Sequence, residues 1–518
     1  SSTLAKGAIN MSKKKTIVKK LDSIQSFGAM NILCTDKTGT LTEDNIVLEK
    51  YLAIDGNENE KVLETTFLNS YFQTGLEGNI DKAIIQKAKE NGLEQNIKDY
   101  TKIDEIPFDF SRRRLSIIVS KDNKKEMITK GAVEEILNIC TMVKQKEEIQ
   151  QLDSEIKNKI IEMTKELNKE GLRIIAVCKK EVYQNNFTVD DEENMILIGF
   201  MGFLDPPKKS AKDEIERLNK EGIRVIVLTG VNEYVTKTIC EKVGINTDRI
   251  ILGNQIDKTS DYSLNRLLKK TNVYAKLSPI QKARIIRVLR ENGNIVGYMG
   301  DGINDAPSMN NADVGISVDT AVDITKETAD IILLKKNLKV LTDGVLEGRK
   351  TFGNLLKYVK MAVSFNFGEV LSILIASIFL PFFPITPIQL LVQSLLYDIG
   401  QLSLPYDNVD KEYLETPKKW DLKALKNFML WMGPTSSIFD LFIFALLWFQ
   451  FEIRDAAVFQ SIWFSYGVVS NLVGLHIIRT AKVPFLQSNS SKAVYATSII
   501  FSIIAIIIPI IDKYQILP

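Results

Sequence analysis

The sequence predicts an α/β protein with a parallel sheet, interrupted by an inserted α+β segment and followed by a bundle of transmembrane helices. Between about residues 25 and 340, short apolar strands alternate with amphipathic helices, which is typical of a parallel sheet covered on both faces. After residue 360, long runs contain almost no charge. Four tryptophans fall in that apolar part, where either an interfacial aromatic belt or an ordinary core would place them.

The sheet strands are predicted from short apolar runs that end in polar turns. These runs lie at 32–34, 224–228, 273–276, 295–299, 314–318 and 331–334. Residues 46–204 carry strands and helices of their own, which predicts a second domain inserted into the first. We therefore expect segments 1–45 and 205–345 to form the sheet domain, and segment 346–518 to form the membrane part. The start of segment 1–45 is expected to be the end of a preceding membrane helix or stalk.

Five hydrophobic segments are predicted to cross a membrane. They lie near 358–380, 385–404, 427–450, 457–478 and 493–511, and each is long enough for a bilayer. Because the number of predicted spans is odd and both chain ends are expected to be cut, the distribution of positive charge does not decide their orientation. We expect the charged domains to be cytoplasmic and the chain to be a multi-pass protein of the cell membrane.

Composition excludes several classes of function. The 66 basic and 64 acidic residues nearly cancel, which predicts no broad electrostatic attraction to nucleic acid. The four cysteines are widely spaced in the charged part, which favours reduced cytosolic thiols over disulfides or a zinc site. The single histidine, His476, lies in an apolar run, which argues against a histidine-based triad.

The strongest chemical signal is the run CTDKTGTLT at 34–42. Asp36 follows a predicted strand, and an aspartate in that place can attack a phosphoryl group to form an aspartyl phosphate. The backbone and hydroxyl groups that follow, at Lys37 and Thr38, suit a cradle for phosphoryl oxygens. Taken alone, the run would be a tight turn with a solvated charge.

Two further strand ends supply complementary groups. Asp301 and Asp305 lie four residues apart across a glycine turn and present carboxylates suited to Mg²⁺. Thr229 ends another strand and offers a hydroxyl, and Lys282 offers a cation that would offset charge in a transition state. Active sites of open α/β sheets lie at the carboxyl ends of strands, so these groups are expected to converge.

The run at 34–42 and the run GDGINDAP at 300–307 resemble the signatures of P-type ATPases, members of the haloacid-dehalogenase-like superfamily. The resemblance implies a Rossmann-like phosphorylation domain in which Asp36 is phosphorylated. It also implies that Thr38 and Asp301, with Asp305, help Asp36 to hold the catalytic Mg²⁺. Lys282 would neutralise phosphate charge. The resemblance adds three further members of the catalytic site, which are Lys37, Gly230 and Asn304.

Within the inserted segment, the runs FDFSRRR at 108–114 and KGA at 130–132 resemble the nucleotide-binding elements of the same family. The resemblance implies that Phe110 stacks on the adenine of ATP and that Lys130 and Gly131 line the pocket. Arg112 and Arg173 would reach the phosphates. Without that context, the arginine run would be a solvated strand end. The run DPP at 205–207 resembles the family's link back from the inserted domain.

One position departs from the family pattern. The family's Thr-Gly-Asp is replaced here by the run TGVN at 229–232, so Val231 stands where a carboxylate is expected. In the family that carboxylate is associated with the conformational change and with dephosphorylation, so Val231 puts turnover in question.

Polar residues inside the predicted spans form a candidate site for a transported cation. Asn366 and Glu369 are three residues apart and share one helix face, and Asp398 and Gln401 do the same. Oxygen ligands of this kind suit a hard divalent cation, and ionisable residues in a membrane are usually functional. Interhelical hydrogen bonding is the alternative, above all for Asp440.

Longer stretches resemble bacterial magnesium-importing P-type ATPases. They are KLDSIQSFGAM at 20–30, LLYD at 395–398, LPYDNVD at 404–410, and Arg479 with VPF at 483–485. The resemblance implies Mg²⁺ as the transported ion, with Asp398 as the leading ligand and Asn366 and Glu369 as neighbours. Glu369 replaces an expected amide, so a calcium or proton pump is the nearest alternative.

A Thr-Gly-Glu-Ser run, which resemblance would place in an actuator domain, does not occur in the sequence. We therefore expect a fragment of a longer pump that lacks the actuator domain, earlier membrane helices and a final span. Such a fragment is expected to bind ATP and to be phosphorylated, but not to transport. A soluble aspartyl-phosphate phosphatase would carry Asp where this chain has Thr38, and an inactive or regulatory pump remnant remains a third alternative.

Overall fold

The computed structural model describes residues 2–37, 40–43, 46–74, 78–109, 111–145, 148–184, 186–204 and 206–513. The described strands are β1 Thr16–Val18, β2 Ile32–Thr35, β3 Val47–Leu52, β4 Thr101–Asp109, β5 Arg114–Lys121, β6 Lys124–Ala132, β7 Cys140–Gln145, β8 Glu148–Gln151, β9 Leu172–Val182, β10 Met195–Leu204, β11 Arg224–Leu228, β12 Ile250–Leu252, β13 Val273–Ala275, β14 Val296–Met299, β15 Val314–Val318 and β16 Ile331–Leu333.

The described helices are α1 Ser2–Lys13, α2 Ser23–Ala29, α3 Glu60–Phe72, α4 Asn79–Glu90, α5 Val133–Ile139, α6 Ser154–Lys169, α7 Ala211–Lys220, α8 Glu233–Lys242, α9 Gly253–Asp257, α10 Asp261–Leu268, α11 Pro279–Glu291, α12 Ala306–Asn311, α13 Asp323–Thr328, α14 Leu338–Phe379, α15 Pro387–Gln401, α16 Lys411–Leu414, α17 Leu422–Ala445, α18 Ala456–Ile478 and α19 Lys492–Lys513. The chain divides into two compact units. The first comprises Ser1–Leu33, Arg217–Arg224 and Leu289–Pro518, and the second comprises Cys34–Glu216 and Val225–Val288.

In the first unit, β14, β15 and β16 pair in parallel, as the apolar runs predicted. The predicted strands at 295–299, 314–318 and 331–334 agree with these three to within one residue. The sequence did not predict β1, which lies antiparallel to β16. β1 begins with a polar residue, Thr16, and so lacks the continuous apolar run that marks β16; it also follows directly on a turn in which Lys15 has a φ of 66°.

Helix α14 crosses α2 at a very close approach that small residues permit. A Cβ on Gly28 would come within 2.6 Å of the Gly348 carbonyl carbon, so a larger residue cannot fit without moving the backbone. The neighbouring Arg349 side chain is buried and donates to the carbonyl oxygens of Gly28 at 3.2 Å, Glu221 at 2.7 Å and Leu414 at 2.5 Å. One guanidinium therefore joins α14 to three other segments of the first unit.

A second buried cluster lies around Asp407. Its carboxylate accepts hydrogen bonds from Lys357 Nζ and Arg479 Nε, both at 2.7 Å, and from the Ser491 amide at 2.9 Å. Burial alone would raise the pKa of Asp407, but the two cations hold that pKa below its ordinary value. The cluster ties α14 to the connections that follow α15 and α18.

Four described helices are long and apolar enough to cross a membrane: Leu338–Phe379, Leu422–Gln450, Ala456–Ile478 and Lys492–Ile511. The predicted span at 385–404 differs, because α15 has only 15 residues. At 1.5 Å per residue it is roughly 22 Å long, less than the hydrocarbon core of a bilayer. It begins at a Thr386 cap with Pro387 and ends before a short 3₁₀ turn at Leu404–Tyr406, which contains Pro405.

The second unit contains a short parallel group, β11–β13–β12, and a larger sheet of mostly antiparallel strands. The larger sheet has the order β4-β5-β6-β9-β10-β7-β8, and β3 also pairs with β10. Its strands lie within the predicted insertion 46–204, whose boundaries stay a prediction. Alternate residues of β5, β6 and β9 enter two separate cores, one beneath α3 and α4 and the other beneath α5 and α6.

Replacing Arg349 with methionine is expected to lower the free energy of unfolding by about 3 kcal/mol, because one buried and two partly buried carbonyl oxygens would lose their donor. Lys350→Met is the matched control, because the Lys350 side chain is 45% exposed and its Nζ lies 3.8 Å from a carboxylate oxygen of Glu347. Thermal unfolding of both variants in detergent measures the difference. Equal midpoints for the two would contradict the assignment of Arg349 as a structural link.

Candidate active site

Asp36 follows β2, whose four residues are all buried, so its carboxylate emerges from the end of an apolar strand. The Lys37 amide donates to Asp36 Oδ1 at 2.6 Å. Lys282 Nζ, from the first turn of α11, lies 2.5 Å from Asp36 Oδ2. The Asp36 side chain is 21% exposed and that of Lys282 is 5% exposed, so a nearly buried ammonium meets a carboxylate that solvent still reaches.

Several donors keep Asp36 ionised. Burial alone would raise its pKa, but the Lys282 ammonium and hydrogen bonds from Lys282, Thr229 and the Lys37 amide hold that pKa below its ordinary value. An ionised carboxylate with an accessible oxygen is the form that attacks phosphorus. The arrangement therefore suits a nucleophile at neutral pH.

The structure brings Thr229 to the same carboxylate. Thr229 follows β11, is fully buried, and hydrogen-bonds to Asp36. Its Oγ1 also accepts from the Val231 amide at 3.3 Å, and the Val231 carbonyl accepts from the Lys276 amide at 2.9 Å. A Cβ on Gly230 would meet the Leu277 carbonyl oxygen at 3.4 Å, an ordinary contact, so space alone does not require glycine there.

The turn 300–305 lies in the first unit and is organised by Asp305. The buried Asp305 carboxylate accepts from the Tyr298 hydroxyl at 2.5 Å, and from the amides of Asp301 and Gly302 at 3.2 Å each. Both oxygens therefore take part in fixing the turn, which favours a structural role over metal ligation. Asn304 is exposed.

Asp301 lies at the start of this turn and forms an ion pair with Lys336. Its side chain is 35% exposed, so its oxygens lie near solvent while it is paired. The sequence did not single out Lys336, which lies in a lysine pair just before α14. The predicted role of Asp301 as a Mg²⁺ ligand stays a prediction.

In the larger sheet of the second unit, Lys130 is buried and already paired. Its ammonium forms an ion pair with Asp81 from α4 and donates to Ser70 Oγ at 2.7 Å. Gly131 is required by close packing, because a Cβ there would come within 2.6 Å of the Arg113 carbonyl oxygen. No motif in the sequence indicated Asp81, which lies 49 residues from Lys130.

The other residues predicted to bind the nucleotide lie in different environments. Arg112 forms an ion pair with Glu192 at 2.6 Å, a partner that sequence reasoning missed because Glu192 lies in an acidic run with nothing to distinguish it. Arg173 is exposed on β9. Phe110, Thr38 and Asp205 lie outside the described residues.

The polar residues of the membrane helices form two hydrogen-bonded groups. Glu369 Oε1 accepts from Gln393 Nε2 at 2.7 Å, and Asp440 accepts from Ser372 Oγ at 2.6 Å and Trp463 Nε1 at 3.4 Å. The sequence did not lead us to predict a contact for Gln393, although a glutamine within the apolar run of α15 indicates a polar partner.

Asp398 and Asn366 lie on exposed faces of α15 and α14. Within the described ranges, no group of three or more His, Cys, Asp or Glu side chains is arranged to hold a metal ion. Of the three predicted cation ligands, Glu369 is thus hydrogen-bonded, whereas Asp398 and Asn366 are exposed.

Replacing Asp305 with alanine is expected to destabilise the 300–305 turn by about 2 kcal/mol, because one hydroxyl and two amides lose their acceptor. Asn304→Ala is the matched control on an exposed side chain. Hydrogen exchange at the Asp301 and Gly302 amides measures the effect. Unchanged protection in the Asp305 variant would show that the turn does not depend on this carboxylate.

Three family models match the chain. The model described as P-type ATPase, cytoplasmic domain N, matches residues 57–210, and the haloacid dehalogenase-like hydrolase model matches 181–313. The model described as cation transporting ATPase, C-terminus, matches 382–514. The haloacid-dehalogenase-like fold class, with an α+β nucleotide-binding domain and apolar C-terminal helices, is therefore confirmed.

The chain is 46% identical over 514 residues to magnesium-transporting ATPase, P-type 1, of Escherichia coli, which covers 98% of this chain and 57% of that protein. The protein of the same name from Salmonella typhimurium gives the same identity and coverage. Calcium-transporting ATPase 1 of Bacillus cereus is 31% identical over 467 residues, covering 85% of this chain and 53% of that protein. The chain thus spans little more than half the length of these relatives. The identity of 46% along nearly the whole chain, together with the three family models, places the chain in the P-type ATPase family.

Proposed function

We propose that this chain is the phosphorylation, nucleotide-binding and C-terminal membrane part of an ATP-driven cation pump. The observation that carries the proposal is the Asp36 carboxylate, paired with Lys282 at 2.5 Å and fixed by the Lys37 amide at 2.6 Å. In the proposed step, an oxygen of Asp36 forms a bond to the γ-phosphorus of ATP while the bond to the ADP oxygen breaks. The product is an aspartyl phosphate and ADP.

The neighbouring side chains have distinct roles in this step. Lys282 offsets the negative charge that gathers on the transferring phosphoryl group, and the Thr229 hydroxyl donates to one of its oxygens. Carboxylates are ligands that Mg²⁺ prefers, so the carboxylate of Asp36 in the second unit and that of Asp301 in the first would each have the right donor chemistry for a catalytic Mg²⁺. When bound, the ion supplies further charge neutralisation.

We infer that the transported ion is a divalent cation, with Mg²⁺ favoured over Ca²⁺. Two observations support this choice: the relatives at 46% identity are named for magnesium transport, and the calcium-named relative is at 31%. Asp398, Asn366 and Glu369 provide the carboxylate and amide oxygens that a hard cation requires. The lipid membrane is then a partner through the four long apolar helices.

Asp36→Asn is expected to abolish acid-stable labelling of the protein by γ-labelled ATP in the presence of Mg²⁺, because an amide cannot attack phosphorus. Hydroxylamine should remove the label from the unchanged protein, as it does from acyl phosphates. Asp248→Asn is the matched control, since this exposed carboxylate bonds only to its neighbour Asn246 among the described residues.

The control variant should label as the unchanged protein does. Label that survives in Asp36→Asn would refute Asp36 as the nucleophile. An unlabelled protein that still binds ATP would instead favour a nucleotide-binding remnant of a pump.

Asp398→Asn is expected to remove one Mn²⁺ site measured by electron paramagnetic resonance, because Mn²⁺ shares the oxygen preference of Mg²⁺. Mg²⁺ should displace Mn²⁺ from that site at lower concentration than Ca²⁺. Asp455→Asn, which changes the cap of α18, is the control and should retain the site. Displacement by Ca²⁺ at lower concentration would favour a calcium pump.

A further inference from the structure

Three consecutive arginines follow β4 in the larger sheet of the second unit, and their side chains lie in different environments. Asp109 Oδ1 accepts from the amides of Ser111 and Arg112 at 2.9 Å each, as aspartates at turns commonly do. Arg113 has a φ of 50° and its side chain is exposed. The guanidinium groups of Arg112 and Arg114 instead meet at one carboxylate, that of Glu192.

The Glu192 carboxylate is fully buried, with its side chain 0% exposed. Its Oε2 lies 2.6 Å from Arg112 Nη1 and 2.6 Å from Arg114 Nε. Its Oε1 accepts from Ser116 Oγ at 2.6 Å, and Ser116 in turn shares a hydrogen bond of 2.7 Å with Thr129. Every oxygen of the carboxylate thus has a partner from β5.

The backbone around Glu192 is fixed independently of the arginines. Lys180 Nζ donates to the carbonyl oxygens on either side, Asp191 at 2.6 Å and Glu193 at 2.8 Å. The Thr188 amide donates to the Asp191 carboxylate at 2.7 Å, which closes the turn before Glu192. The carboxylate is therefore held in place by β9 and its following connection, and not only by the groups that it binds.

The charges of this cluster do not cancel. Two guanidinium groups face one buried carboxylate, so these three side chains carry a net charge of +1 when ionised. The Asp109 carboxylate near Arg112 adds a negative charge, but it is exposed and therefore screened by solvent. Each guanidinium has five N–H donors. Among the described residues, Arg112 uses two of its nitrogens, on Glu192 and on the Pro107 carbonyl, and Arg114 uses only Nε. N–H groups therefore remain on both arginines, whose side chains are 17% and 14% exposed.

We propose that Glu192 is a positioning residue, which orients Arg112 and Arg114 as a pre-formed cationic pair for the phosphates of the nucleotide. The proposal rests on ATP binding as proposed above and assigns a role to a residue outside the signature runs. A polyphosphate is recognised best by guanidinium groups that are already fixed, because less side-chain entropy is lost on binding. A carboxylate that holds two guanidinium groups keeps their planes fixed and leaves positive charge for the ligand.

The test compares nucleotides that differ in their number of phosphates. Glu192→Gln should weaken binding of ATP by roughly tenfold or more in isothermal titration calorimetry, because an amide cannot hold two guanidinium groups. Binding of adenosine should stay within about twofold, since it offers no phosphate to the cationic pair. Glu192→Asp should restore part of the ATP affinity. Glu126→Gln is the matched control, because this glutamate pairs with Lys179 at 2.8 Å in the same sheet.

A second variant keeps the proposal testable if Glu192→Gln does not fold. Ser116→Ala removes one donor to the carboxylate and leaves every charge in place, and it should weaken ATP binding by about threefold without affecting adenosine. Equal loss of ATP and adenosine affinity would show a general structural role and overturn the proposal. Unchanged or tighter ATP binding in Glu192→Gln would also overturn it. An unchanged protein that binds no ATP would instead refute the proposed nucleotide site.

Discussion

Asp36 lies at the end of a buried strand, and the positive charge and hydrogen-bond donors placed against it keep its pKa below the ordinary value; the geometry of the candidate site depends on this pairing. Lys282 meets Asp36 in this way, and Lys336 meets Asp301 within the other unit. The same pattern recurs away from the strand ends, where Asp81 lies against Lys130. Each pairing also fixes the position of a charged side chain, so contacts that stabilise the fold also hold these side chains in place.

An ion pair within the protein limits how strongly a predicted binding residue can attract a charged ligand. Lys130 and Arg112 were selected from the sequence as cations that face a nucleotide, yet both have carboxylate partners within the protein. A cation paired one-to-one contributes little net charge to a ligand, whereas two guanidinium groups on one carboxylate retain an excess. The cluster at Glu192 is therefore better suited to a polyanion than the pair at Lys130, whose ammonium is more deeply buried.

The sequence predicted six strands of the parallel sheet to within one residue, because strands buried on both faces are continuous apolar runs bounded by polar turns. It missed β1, which begins with a polar residue, and β12, which is only three residues long. It also predicted the approach of Lys282 and Thr229 to Asp36, since strand ends and the following helix converge in such folds. It could not predict that Glu192 binds Arg112 or that Arg349 joins three backbone carbonyls. Those partners lie 65 to 321 residues apart, and no local period records them. The short α15 was missed because apolar composition does not report where a helix ends.

In the described membrane helices, the partly buried carboxyl groups receive hydrogen bonds from neutral donors instead of pairing with cations. Glu369 and Asp440 receive hydrogen bonds from an amide, a hydroxyl and an indole, all neutral donors. Neutral donors stabilise an ionised carboxylate but leave its charge uncompensated, unlike the lysines and arginines of the soluble part. In a medium of low dielectric constant, a carboxyl group without a cationic partner is stabilised either by protonation or by a bound cation. Among the described residues, Glu369 and Asp440 are thus satisfied by neutral groups, whereas Asp36 and Asp81 each face a lysine.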